Sequence, residues 1–325
     1  MNAPSPSNLP AVVSPTGTDL ALVDSAAHYI ALAKAENTRR AYSSDWAHFE
    51  AWCASHGALA LPAEAETVAA YVLDHAESLK PSTLARRLNA ISFRHRGAGY
   101  ESPTGTAATR EILKGIRNSR GARKDGKAAL SVSDVRAMVE SLPATLAGQR
   151  DRAIILLGFA GAFRRSEIVG LDVADLARVP EGFIVTVRRS KTDQGGLGHE
   201  VGIARGNATC PVREVEAWLD ASGIKDGPLF RPIDRHGNMR AARLSGYAVA
   251  LIVHRAAAAA HLTPAAGEAF GAHSLRAGHA TAAARAGVEE RSIMRQGRWR
   301  SESTVRGYIR HGSLFTENSS ARLGL

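Results

Sequence analysis

An eleven-residue apolar run, Ala153 to Phe163, leads without a break into Arg164, Arg165 and Glu167. Burying that run carries the charges that follow it to the inner end of a helix, where ionised groups need a partner or a purpose. The competing account is an ordinary helix end whose charges meet solvent. Spacing alone leaves open which arginine points inward. Arg164 is favoured, because Glu167 lies three residues on and such pairs share a helix face.

At 325 residues the chain is long enough for two domains, each with its own core. Its 45% hydrophobic and 22% charged residues fit a soluble globular protein. No apolar run approaches the roughly 20 residues of a membrane-spanning helix. The N-terminus lacks the basic start and apolar core of a secretory signal, so a cytoplasmic location is expected. Cys53 and Cys210 have no metal-ligand spacing and read as reduced bystanders.

The net charge of +10 is unevenly spread. Residues 1–79 hold three Lys/Arg against nine Asp/Glu, whereas residues 80–127 hold twelve against three. A step of that size within one domain suits a face that meets phosphates, and a solvated basic helix with a linker is the plainer alternative.

Along the chain, residues 1–18 read as a disordered lead-in and 19–116 as an all-helical domain. Asp19–Ala35 has helical spacing, and Asn37/Thr38 are candidate caps for a second helix. In that helix Tyr42, Trp46, Phe49 and Trp52 define one face, more fitting for a core than for base stacking. Helices over 64–77 and 82–95 follow, the latter with Pro81 in its first turn. The 82–95 helix sets Arg86, Arg87, Arg94 and His95 against Leu84, Leu88 and Ile91, as a helix laid on DNA would. After a helix over 106–116, residues 117–128 form a glycine-containing basic linker in which Arg117, Arg120, Arg123 and Lys124 are candidate DNA contacts.

The remainder, 129–325, is expected to be mainly α-helical with a small antiparallel sheet. Ser131 and Asp134 fit a capping box. Helices are expected over 132–141, 147–160, 244–261, 273–286, 289–296 and 302–309. Phe183–Val187 and His199–Ala204 read as a hairpin around a glycine-rich turn. The tail from Leu314 to Leu325 is free to dock on this subunit or another.

Four ordered stretches carry chemistry. Arginine forks match two phosphate oxygens at once, so Arg164 and Arg276 could clamp one phosphate and stabilise a five-coordinate transition state. His273 lies three residues before Arg276 and could manage protons beside the bound anion. Glu167 would orient Arg164 or His273. Lys191, just after the first hairpin strand, could protonate a leaving 5′ oxygen. Tyr308, with an ordinary pKa of about 10, becomes a useful nucleophile only with such help. No Asp/Glu/His set has convincing metal spacing, which argues against a two-metal nuclease.

The order Arg-x-Ser-Glu at 164–167, Ser-Lys-Thr at 190–192, His-x-Leu-Arg at 273–276, and Gly-x-Trp at 297–299 with Tyr308 nine residues later resembles the tyrosine recombinases of the lambda-integrase (phage integrase) family. The resemblance spans roughly residues 20 to 320. It implies a two-domain DNA clamp with a SAM-like helical domain before the catalytic one. It also implies a 3′-phosphotyrosine intermediate on Tyr308, strand exchange through a Holliday junction, no metal or ATP, and a homotetramer on two double-stranded DNA sites. Such a protein would be nucleoid-associated. Trp299 stands where most of the family carry histidine; it cannot shuttle a proton, so a packing or indole N–H role is implied. A type IB topoisomerase-like relaxase and a non-catalytic DNA-binding protein are the alternative readings.

Overall fold

A computed structural model of the chain describes residues 36–120, 128–188, 198–265, 268–312 and 323. The chain divides into two compact units at Arg123/Lys124.

The first unit holds α1 (Glu36–Ser55), α2 (Ala65–Asp74), α3 (Pro81–Gly97), a short 3-10 turn (Pro103–Gly105) and α4 (Ala107–Arg120). Its core gathers Trp46, Phe49, Val68, Tyr71, Leu84, Ile91 and Leu113. The aromatic stripe of α1 is therefore core: Phe49 is fully buried and meets Tyr71 edge-on at 5.0 Å. Asn37 and Thr38 lie inside α1 instead of capping it, because the helix is already running at Glu36, which pairs with Arg40 one turn on. The 19–35 helix falls outside the described residues.

The basic side chains of α3 do not share one role. Asp45 of α1, buried, takes a two-pronged bond from Arg86 at 2.7 and 3.0 Å. Arg87 is turned inward and donates to the Tyr71 hydroxyl at 2.7 Å. His95 is fully buried: its Nε2 accepts the Ala63 N–H at 2.8 Å, so Nδ1 carries the proton and donates to the Ile91 carbonyl at 2.9 Å. Arg94 stays exposed, over the Trp46 ring at 5.3 Å. At the end of the unit α4 runs one turn past Ile116, since Arg117 and Arg120 suit a helix C-terminus. Arg120 donates there to the carbonyls of Ala76 and Leu79, whereas Arg117 is exposed. Arg123 and Lys124 lie outside the described residues.

The second unit begins with α5 (Val132–Glu140), closed by the Ser131–Asp134 capping box. Then come α6 (Leu146–Ala160), the short α7 (Arg165–Gly170), and strands β1 (Leu176–Val179), β2 (Gly182–Val187) and β3 (His199–Ala204). The strands form one antiparallel sheet in the order β1-β2-β3. Phe183, Val185 and Val187 alternate inward along β2 and meet Val201 and Ile203 of β3. β1 is an addition to the expected hairpin; Leu-Ala-Arg-Val is too short to signal a strand and exists by pairing with β2. Helices α8 (Pro211–Ser222), α9 (Gly246–Ala259), α10 (Ala272–Arg285), α11 (Glu290–Gly297) and α12 (Glu302–Gly312) complete the unit.

The apolar run is the centre of this unit: Ala153, Ile154, Ile155, Leu157 and Phe163 have no exposed surface. α10 passes so close to the entering chain that a Cβ on Gly278 would lie 2.2 Å from the Leu130 carbonyl oxygen. α12 is held on α10 and α11 by Val305 against Ala280, Ala284 and Ile293. The helix that carries Tyr308 is thus docked on its own chain.

Candidate active site

α6 stops at Ala160, and the chain turns through Gly161, Ala162 and Phe163 before α7. Ala162 adopts φ +46°, a left-handed conformation that costs a non-glycine residue about 1 kcal/mol. The turn aims the Ala162 carbonyl inward, where Arg276 donates to it at 2.5 Å and Arg298 at 3.3 Å. It also places Arg164 at the N-cap of α7 and not on the long apolar helix.

Glu167 answers from the first turn of α7. One carboxylate oxygen accepts the Arg164 side chain at 2.6 Å, and the other accepts the Arg164 backbone N–H at 2.9 Å and Arg298 at 2.7 Å. Burial raises the carboxyl pKa, but Arg298 and the bonds from Arg164 outweigh it, so the group stays ionised below the usual range. Arg165 is exposed, with its stem against Gly246 at the start of α9. Arg164, not its neighbour, belongs to the buried cluster.

α10 supplies the opposite wall. Arg276 is 2% exposed, and its Nη2 is buried without a partner among the described residues. Its guanidinium lies over the Trp299 ring, 3.9 Å from the centroid. Burial, with Arg164 nearby, pushes its pKa down to about 9. Trp299 reaches that position because Gly297 has no side chain: a Cβ there would fall 1.7 Å from the indole.

One turn before Arg276, His273 brings Nε2 to 2.8 Å from the Tyr308 hydroxyl. Burial lowers the His273 pKa, and Arg276 and Arg164 lower it further, so the imidazole is neutral at pH 7. With the proton on Nδ1, Nε2 accepts the phenolic O–H. Burial raises the Tyr308 pKa while Arg276 pulls the other way. The arrangement presents a phenol, a neutral base and two guanidinium groups together, a set fitted to attack on a phosphodiester.

Lys191 lies outside the described residues, as do all of residues 189–197. The strands on either side of it pair up to Val187–His199. Arg188 anchors the end of β2 to Asp175 at 2.8 Å and to Asp172. Among the described residues, no group of three or more His, Cys, Asp and Glu could hold a metal ion.

Arg298 was not among the residues expected here. It is 7% exposed, has φ +55°, and donates to the carbonyls of Gly161 and Gln296 as well as to Glu167. The only signal for it in the sequence is a buried Glu167 with more acceptor capacity than Arg164 alone would fill.

A model of the family described as "Phage integrase family" matches residues 129–313. The chain belongs to the phage integrase family. It is 40% identical, over 89% of its length and 86% of the relative's, to an integrase/recombinase xerD homolog of Selenomonas ruminantium. It is 27% identical, over 85% of its length and 84% of the relative's, to the recombinase cre of Escherichia phage P1. In fold it is similar to a lambda integrase tetramer bound to a Holliday junction (TM-score 0.60, 14% identity, 86% of this chain and 73% of that one). It is likewise similar to XerH recombinase bound to a palindromic difH substrate (TM-score 0.58, 16% identity, 80% and 71%). As a phage integrase family member the chain is a site-specific tyrosine recombinase, an enzyme that transfers DNA strands. Among the described residues of this family member, no helix is long and apolar enough to cross a membrane.

Proposed function

We propose that Tyr308 cleaves and rejoins DNA through a 3′-phosphotyrosine link. The observation that carries this reading is the 2.8 Å contact between Tyr308 and His273, beside Arg164 and Arg276. The Tyr308 oxygen forms a bond to phosphorus as the bond to the 5′ oxygen breaks. His273 takes the phenolic proton, Lys191 gives a proton to the departing 5′ oxygen, and the two arginines hold the phosphate oxygens as charge builds. The Nη2 of Arg276, which has no partner among the described residues, suits one of those oxygens.

A 5′-hydroxyl from a second duplex then reverses the step. The ester keeps the bond energy, so the exchange proceeds without ATP or metal, through a Holliday junction and on four protomers. The related lambda integrase was captured as a tetramer on such a junction, which supports this stoichiometry. The partner is a double-stranded DNA site in the cytoplasm, at the nucleoid. In the first unit the exposed Arg94 and Arg117 would meet the backbone, with Arg123 and Lys124 from the basic linker. Two units joined by such a segment suit a clamp around the duplex.

The test is a covalent trap with nicked fragments of host DNA. Adducts that survive denaturation and vanish in Tyr308→Phe, while DNA binding persists, support the reading. Adducts in Tyr308→Phe would mean another nucleophile. Relaxation of plasmids without recombinants would mean a topoisomerase-like enzyme instead.

A further inference from the structure

Arg298 is buried in the site, yet none of the steps above uses it. Its side chain is 3% exposed, with the Phe163 ring 4.9 Å from the guanidinium carbon. Its Nη1 and Nη2 donate to Glu167 and to backbone carbonyls of the two turns that carry Arg164 and Trp299, while its Nε is buried without a partner among the described residues. So enclosed a group does not itself bind phosphate.

The charges around it explain its presence. Three guanidinium groups, of Arg164, Arg276 and Arg298, surround one carboxylate, that of Glu167. Glu167 has no exposed side-chain surface and touches two of the three, Arg164 at 2.6 Å and Arg298 at 2.7 Å. If Arg164 were its sole cationic partner, the carboxylate would cancel one of the two charges meant for phosphate and draw that guanidinium away from it.

We infer that Arg298 is a positioning residue that neutralises Glu167 and so leaves Arg164 and Arg276 as two uncompensated cations for the phosphate oxygens. Glu167 then serves Arg164 as a geometric rest more than as a counter-ion. The same residue joins the two halves of the site mechanically. Its backbone carbonyl lies 3.4 Å from Arg164 Nη2, and the next residue, Trp299, supports Arg276. The inference rests on the proposed phosphate-clamp role of Arg164 and Arg276.

A charge role and a packing role part company in variants. Arg298→Met keeps bulk and loses charge, Arg298→Lys keeps charge and loses the fork, and Arg298→Met with Glu167→Gln removes both charges. Each is compared with wild type for single-turnover adduct formation on the nicked host DNA fragments, with thermal melts and DNA binding alongside. We expect Arg298→Met to form adducts at least ~100-fold more slowly at unchanged DNA affinity, the scale of losing one transition-state donor. Arg298→Lys and the double variant should each recover at least ~10-fold of that loss, a coupling that independent sites do not show. Arg298→Met as fast as wild type would overturn the inference. So would three variants that all fail to fold, or that fold and stay equally slow, since the role would then be packing alone. Wild type without adducts, or adducts that persist in Tyr308→Phe, would instead defeat the clamp reading on which the inference stands.

Discussion

The Nε2 of His273 lies 2.8 Å from the Tyr308 hydroxyl, and both groups are displaced from their ordinary pKa in directions that keep both neutral. The pair is therefore set for a concerted proton transfer and does not begin as a phenolate–imidazolium ion pair. Cleavage should stay fast below the ordinary histidine pKa of about 6.5, then fall as His273 protonates. In His273→Phe that acid limb should disappear and the rate should drop by about 100-fold, as measured by single-turnover adduct formation across pH.

A second histidine on α10 governs stability instead. His279 packs against Phe159 and is pushed from 6.5 down to about 4, first by burial. Because its folded-state pKa is depressed, the unfolded chain binds more protons between those two values, and stability rises with pH through that window. The contribution is fully present above pH 6.5 and amounts to about 3 kcal/mol at about 1.4 kcal/mol per unit. Denaturant titrations should show wild type losing stability from pH 6.5 toward 4, with a flatter profile in His279→Asn.

Gly297 and Trp299 should fail together. A methyl group on Gly297 would strike the indole at 1.7 Å and move it from beneath Arg276. Adduct formation should therefore fall in Gly297→Ala about as far as in Trp299→Ala, on the order of 10-fold or more, given about 1–2 kcal/mol for a buried cation–π contact. Trp299→Phe should lie between these and wild type.

The basic residues of the first unit separate into two measurable classes. Neutralising Arg94 and Arg117, both exposed, should reduce the slope of log K against log salt by about 0.9 for each phosphate left without its arginine. Arg87→Gln should leave that slope near wild type and cost about 1–3 kcal/mol of stability, because it strips Tyr71 of a hydrogen-bond donor and buried Asp45 of a cation 3.7 Å away. Salt-dependent binding and thermal melts on the same proteins check both.

Periodic burial is what made most of the fold readable. The apolar run into Arg164, the alternation of β2 and the capping box at Ser131 all state a local preference that the tertiary structure keeps. β1 was hidden because its four residues gain strand structure only from a neighbour. His95 and Arg87 share a helix with exposed arginines, and a helical wheel cannot say that Ala63 and Tyr71 wait on the inward side. Arg298 was hidden for the same reason: its partner Glu167 lies 131 positions away. Spacing reports which side chains share a face; it is silent on what a distant segment brings to meet them.

The covalent link between protein and DNA identifies the nucleophile. After trapping on nicked DNA and digestion with nuclease and protease, mass spectrometry of the nucleotide-bearing peptide identifies the attached side chain and the end of DNA it holds. A 3′-phosphate ester on Tyr308 is expected, with a free 5′-hydroxyl on the released strand. A link to the 5′ end, or to any residue other than Tyr308, would contradict it.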